Sequence, residues 1–166
     1  MTVERYLHGL WSIGWLDRVA AATAEYGLYA CALVLLVAWL RRRPSGVLLT
    51  FAIGAVGAIA LDLIAGAVYH DQRPFVSLGT TPLVAHDDDN GFPSDHAAAA
   101  AFIAVAALFV DVPLGVIACV VAAAVGVARL YCLLHSPVDV LAGWLIGAVP
   151  ALVAGLAIRR GRLRSR

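Results

Sequence analysis

Along this chain, apolar residues gather into five long runs, at positions 26–40, 47–69, 97–110, 114–134 and 138–158, with polar residues collected between them. A membrane crossing takes roughly 20 apolar residues, within a range of about 17–25. The second, fourth and fifth runs meet that length. The first and third are short, and are completed by polar ends that face protein or a cavity. Backbone groups at membrane depth must find partners within their own segment, so each run is expected as an α-helix. Residues 4–25 are mixed: Leu7, Leu10, Trp11, Ile13, Leu16 and Val19 alternate with Arg5, His8, Asp17 and Arg18. This tryptophan-rich pattern predicts an amphipathic helix lying in the membrane interface. The expected fold is all-α: an integral membrane bundle of five transmembrane helices plus an N-terminal amphipathic interfacial helix. Residues 1–166 are read as a single domain.

Composition supports the membrane reading. Hydrophobic residues make up 62% of the chain, and the mean hydropathy is +0.88. A soluble protein of this size has too little interior to hide so much apolar surface. The net charge of +1 excludes no partner, but its placement is informative. All twelve basic residues are arginine, which rules out lysine-based chemistry. Eight of the twelve lie in Arg41–Arg43 and in the tail after Ile158. With five spans these two clusters share one side with the turn at Asp111, and the positive-inside rule makes that side cytoplasmic. A multi-pass plasma-membrane protein is expected, with the N-terminus outside and the C-terminus cytoplasmic. Glu4 and Arg5 near the start argue against a cleavable signal peptide. Cys31, Cys119 and Cys132 lie in apolar runs and read as small packing residues, and an odd count gives no disulfide framework. No P-loop, HExxH or nucleic-acid signature appears.

Three polar clusters interrupt the apolar pattern: Gln72-Arg73-Pro74-Phe75, Phe92-Pro93-Ser94-Asp95-His96, and Arg129 with His135 and Asp139. Such residues are costly at membrane depth, so they are functional candidates by default. The topology puts all three at the outer ends of the helices. Ser136-Pro137 is a helix start, and Ser136-x-x-Asp139 reads as a capping box. Asp139, four residues after His135, also reads as the acceptor for the histidine ring, leaving the other ring nitrogen free. Arg129 is either an arginine snorkelling to the interface or a bidentate phosphate ligand. Ser94 reads as the N-cap of the third run, at a helix N-terminus that also suits an anion. His96 there is placed to donate a proton. Arg73 is an interfacial arginine or a further cationic contact.

Together the clusters resemble the signature of the type-2 phosphatidic acid phosphatase superfamily of membrane lipid phosphatases. That signature runs K-x6-R-P, then P-S-G-H, then S-R-x5-H-x3-D. The chain offers Arg73-Pro74, Pro93-Ser94-Asp95-His96, and Ala128-Arg129 followed by His135 and Asp139. Glycine stands where the lysine belongs, at Gly66; Asp95 replaces the motif glycine and Ala128 the motif serine. The Phe-Pro-Ser-Asp-His form, with Arg-Pro-Phe-Val from Arg73, is similar to the bacitracin-resistance branch of undecaprenyl-pyrophosphate phosphatases.

The resemblance implies the roles. His135 is the nucleophile, Asp139 orients it, and His96 protonates the leaving oxygen and then activates water. Arg73, Arg129 and Ser94 hold the phosphoryl oxygens, with Asp95 counted in the same phosphate-binding set and His70 a candidate substitute for the lysine. The implied chemistry uses no metal and no cofactor. The implied substrate is a membrane lipid phosphate, undecaprenyl diphosphate first. Phosphatidate, phosphatidylglycerophosphate and a prenyl-phosphoryl sugar phosphate are the alternatives. A vanadate-dependent haloperoxidase or a non-enzymatic lipid transporter accounts less well for the clustered set. Asp62, inside the second run, is expected to pair with Arg129 or Arg18. Residues 86–90 form an acidic loop, either solvated or holding a cation that accompanies a diphosphate. Nothing in the sequence specifies an oligomeric state.

Overall fold

The computed structural model describes Val3, Gly9, Trp11 and residues 14–44 and 47–164. Among the described residues six helices follow one another: α1 (Gly14–Arg42), α2 (Val47–Val68), the single turn α3 (Pro74–Ser77), α4 (Asp95–Val110), α5 (Val112–Tyr131) and α6 (Pro137–Arg164). Among the described residues there is no named strand, only an isolated antiparallel bridge between Gln72 and Asn90. Helices α1, α2, α5 and α6 are long and apolar enough to cross a membrane. Their outward faces carry large apolar side chains such as Leu33, Leu49, Ile53, Val120 and Leu145. Such faces suit lipid, where exposed hydrophobic surface carries no penalty.

The 16-residue α4 is shorter than a full crossing, yet it is the centre of the bundle. It packs against α6, α5, α1 and α2. Seven of its alanines are buried. Protein surrounds it, so a short helix between two polar caps costs nothing in hydration. Its approach to α6 is at backbone distance. A Cβ on Gly143 would lie 2.5 Å from the Ser94 carbonyl oxygen, and one on Gly147 would overlap the carbonyl oxygen of Ala98. Gly143-x-x-x-Gly147 is the small-residue spacing that lets membrane helices touch along their backbones.

The loops set the ends. Asp111 ends α4 and caps α5, its Oδ1 accepting from Leu114 N at 3.4 Å. Its Oδ2 takes the Arg42 Nε at 2.8 Å, which ties the end of α1 to the same turn. Arg159 of α6 shares a groove with Leu108 and Phe109, near the same end. The three polar clusters lie at the other.

The N-terminal expectation changes in form. From Gly14 onward the segment read as interfacial is continuous with the first span, in one 29-residue helix. Trp11 Nε1 donates to the Tyr131 carbonyl at 2.9 Å, and the Tyr131 hydroxyl donates to Asp17 Oδ1 at 2.7 Å. These bonds fasten that part of the chain to the end of α5. Most of residues 4–13 lie outside the described residues.

Candidate active site

The site begins with how α5 stops. Leu134 N donates to Arg129 O at 3.1 Å, and Leu133 N to Leu130 O at 3.0 Å. This pair of bonds is the Schellman closure, which normally places glycine at the left-handed position. Here that position is Leu133, at φ +60°. Leu133 is fully buried with Leu134 among Phe75, Tyr131 and Cys132. Its carbonyl accepts from Phe75 N at 3.1 Å. The packing holds a conformation that leucine alone would avoid. The turn folds the chain back so that His135 lies over Arg129 of its own helix.

A second loop closes from the other side, and Asn90 is its knot. The Asn90 Oδ1 accepts from Asp71 N and Phe92 N, both at 3.0 Å. Its Nδ2 donates to Gly66 O at 2.9 Å and Tyr69 O at 3.0 Å. Its carbonyl accepts from Arg73 Nη2 at 3.2 Å. Every hydrogen-bonding atom of that amide is used. The next residue, Gly91, then presents its carbonyl to His135.

Three groups converge on the His135 ring. Nδ1 lies 2.7 Å from Gly91 O. Nε2 lies 3.0 Å from Arg129 Nη2 and 3.3 Å from Arg73 Nη1. A guanidinium can only donate and a carbonyl can only accept. The ring is therefore neutral, with its proton on Nδ1 and its lone pair on Nε2. Burial is the main force that keeps it neutral, and the charges of Arg129 and Arg73 add to it; the His135 pKa falls far below the ordinary histidine range. His135 and Arg129 are each 3% exposed. Two buried cations thus flank an unprotonated nitrogen, which is an arrangement for an anion carrying an electrophilic centre.

Arg73 is fixed by three further bonds. Besides the Asn90 carbonyl, its Nη1 donates to Leu134 O at 2.9 Å and its Nε to Asp89 Oδ1 at 2.8 Å. Burial opposes the charge on Asp89, but the hydrogen bond and charge of Arg73 prevail and lower its pKa. Three buried polar atoms nearby have no hydrogen-bond partner, Arg129 Nε, Ser94 Oγ and Asp139 Oδ1. Unpartnered groups of this kind call for a ligand or another explanation.

The structure revises several expectations. Asp139 does not take the histidine proton: its Oδ2 is 3.8 Å from His135 Nδ1, and Gly91 O occupies that role. The capping box does form, with Ser136 N donating to Asp139 Oδ2 at 2.6 Å and Asp139 N to Ser136 Oγ at 3.3 Å. The Ser136 backbone holds Asp139 Oδ2 at the helix start, and Oδ1 is buried without a hydrogen-bond partner. Ser94 precedes α4 but makes no side-chain cap bond; its backbone N donates to Asp139 O at 3.1 Å instead.

His96 lies half-buried in the first turn of α4, close enough to Arg129 and Arg73 to feel their charges. Asp95 is exposed and lines a groove between α2 and α4 with Asp62. Successive helical residues point about 100° apart, at 3.6 residues per turn, so Asp95 and His96 cannot share one direction. Asp62 therefore faces another carboxyl, not Arg129 or Arg18. His70 is exposed and makes no hydrogen bond among the described residues. The acidic loop forms no metal-type cluster among them: Asp89 turns to Arg73, and Asn90 ties the loop down. His86, which the motifs pass over, reaches Arg129, its Nε2 3.4 Å from Arg129 Nη2. A loop that folds back on a site has no periodicity to announce it.

Comparison with known proteins agrees with this geometry. A model of the PAP2 superfamily matches residues 45–161. The chain is 36% identical over 140 residues to the bacitracin transport permease protein BcrC of Bacillus licheniformis, covering 82% of this chain and 69% of that protein. It is 30% identical over 136 residues to undecaprenyl-diphosphatase BcrC of Bacillus subtilis (strain 168), covering 81% and 70%. Its fold is similar to the crystal structure of the first transmembrane PAP2 type phosphatidylglycerolphosphate phosphatase from Bacillus subtilis. That match has a TM-score of 0.70 at 20% identity, over 95% of this chain and 85% of the other.

Proposed function

The chain belongs to the PAP2 superfamily, and from that premise we propose that it is a membrane lipid phosphatase converting undecaprenyl diphosphate to the monophosphate at the outer face of the membrane. The observation that carries this reading is the convergence of Arg73 and Arg129 on the bare Nε2 of His135. A phosphate arriving there takes the guanidinium hydrogens for its oxygens and leaves phosphorus facing the lone pair. The similarity to the undecaprenyl-diphosphatase of Bacillus subtilis supports the choice of a polyprenyl diphosphate over a glycerolipid phosphate.

His135 Nε2 attacks the terminal phosphorus. The new P–N bond forms as the P–O bond to the prenyl monophosphate breaks, and His96 protonates the departing oxygen as required. The ring becomes a phosphorylated imidazolium, its Nδ1 proton held by Gly91 O and its charge favoured by nearby Asp139. Arg73 and Arg129 hold the equatorial oxygens, where charge spreads in the transition state. Neutral His96 then takes a proton from water, the hydroxide attacks phosphorus, and the P–N bond breaks to return neutral His135 and inorganic phosphate. Ser94 Oγ, buried and unpartnered, is a further donor for the phosphoryl group.

Orientation follows the arginines: Arg42 and Arg159 mark the cytoplasmic end and the site faces outside. The test is phosphate release by purified protein in detergent with EDTA, comparing undecaprenyl diphosphate with phosphatidate and phosphatidylglycerophosphate. Preference for the polyprenyl diphosphate, unaffected by EDTA and abolished in His135→Ala, is expected. Preference for a glycerolipid phosphate overturns the substrate; activity surviving His135→Ala overturns the nucleophile.

A further inference from the structure

The site described so far holds the phosphoryl group with two arginines and the Ser94 hydroxyl. Position 66 adds no side chain. Gly66 gives its carbonyl to Asn90, and a Cβ there would stand 3.2 Å from Phe92 O, inside the packed loop. The 78–94 loop brings a different side chain to the same pair of cations. The His86 Nε2 lies 3.4 Å from Arg129 Nη2. The Nδ1 atom is 3.3 Å from Asp87 O and 3.9 Å from Asp89 Oδ1. Asp89 in turn holds Arg73. Thus His86 and its loop neighbour occupy both phosphate-holding arginines at once.

From this geometry we infer that His86 is an additional phosphate-contacting residue of the site, donating from Nε2 to the phosphoryl group that Arg73 and Arg129 bind. The inference rests on the phosphatase reading of that site and adds a residue that the sequence motifs do not include.

The chemistry follows from the partners. In the free protein Nδ1–H points to Asp87 O, so Nε2 is bare and accepts from Arg129. Burial chiefly, with Arg73 and Arg129, lowers the His86 pKa and favours that neutral form. A phosphate dianion takes the Arg129 hydrogen that His86 had used. It also offsets the two positive charges. The freed Nε2 then gains a proton and donates it to a phosphoryl oxygen. The ring is 24% exposed, so solvent supplies the proton directly. Asp89, 3.9 Å from Nδ1, favours the imidazolium once it forms. The other charged or titratable groups near the ring are His96 of α4 and His135 of the α5–α6 turn. Binding of phosphate is therefore coupled to uptake of one proton.

The experiment uses full-length protein in detergent with inorganic phosphate as the probe. Histidine-selective 15N labelling follows the His86 ring, assigned by its loss in His86→Ala. At pH 7.5, saturating phosphate is expected to move that signal toward imidazolium. In kinetics, His86→Ala is expected to raise the phosphate inhibition constant and lower kcat/KM, each by about ten- to a hundredfold, the range of one hydrogen bond to a charged group. His86→Lys, which keeps a cationic donor, is expected to restore most of both. Unchanged inhibition and unchanged kcat/KM in His86→Ala overturn the inference. If that variant does not fold, a wild-type spectrum with no histidine signal shifting under saturating phosphate overturns it. Wild-type protein that hydrolyses no lipid phosphate overturns the phosphatase reading instead, and the phosphate titration still judges His86 separately.

Discussion

Around His135 the choice of attacking nitrogen is settled by what its neighbours can and cannot do. Gly91 O only accepts and the two guanidiniums only donate, so Nε2 carries the lone pair. Replacing Arg129 should cost more than a charge. Arg129→Lys keeps the cation but loses the fork that reaches the ring and phosphate together. Both Arg129→Lys and Arg129→Ala are expected to lower kcat/KM, the alanine variant by about 10²–10³, as for loss of one preorganised donor; steady-state phosphate release checks this. The depressed His135 pKa also has a stability consequence. Below about pH 6.5 the unfolded ring binds a proton that the folded ring refuses, so stability falls as pH drops. His86 shifts in the same direction. The melting midpoint in detergent should therefore be lower at pH 5.5 than at 7.5, and His135→Ala should shrink that difference. The convergent set Arg73, Arg129 and His135 is legible in the sequence as a candidate site because fixed spacings carry it. Gly91 is not, because its contribution is a carbonyl that every residue owns. Nor are His86 and Asn90, because contacts more than forty and about twenty residues apart leave no local pattern.

Helix boundaries were the most legible part of the chain. Ser136-Pro137 opens α6, as its capping pattern implies, and the turn read at Asp111 separates α4 from α5. The end of α5 was not, since a buried leucine occupies the left-handed position where glycine would have marked the stop. In the N-terminal segment only the part from Gly14 is revised: its sequence reads as interfacial, but helix bonding from Gly14 continues unbroken to Arg42. The α4–α6 contact makes a direct prediction at this scale. Any larger side chain at position 147 meets the Ala98 carbonyl and Phe102 N. Gly147→Leu is expected to destabilise by at least the upper end of the about 1–3 kcal/mol typical of overpacking. Gly57, with nothing within 4 Å of its would-be Cβ, is the control; Gly57→Leu should melt close to the wild type. Differential scanning fluorimetry in detergent compares the two. Because Ser94 and His96 begin the helix that Gly147 supports, the first variant should also lose phosphatase activity.

For the whole molecule, the arginines divide the two ends. Arg42 bonds Asp111 at one end, and the reactive cluster lies at the other. With the proposed orientation, Thr81→Cys in the 78–94 loop should react with a membrane-impermeant maleimide on intact cells. Gly161→Cys should react only after permeabilisation; the reverse pattern would invert the topology. The sequence by itself determined the membrane class, the number and approximate places of the apolar runs, and the candidate side chains of the proposed site, because hydrophobicity and short motifs are local properties. Only the tertiary structure decided which of those side chains meet. Helical geometry sends Asp95 toward Asp62 while His96 stays near the arginines. The Ser136 cap holds Asp139 while the Gly91 carbonyl accepts the hydrogen bond from His135 Nδ1, and the folded-back loop delivers His86 and Asp89 to the cations. Those outcomes depend on backbone direction and close packing between distant segments, and neither is written in the order of residues along any one of them.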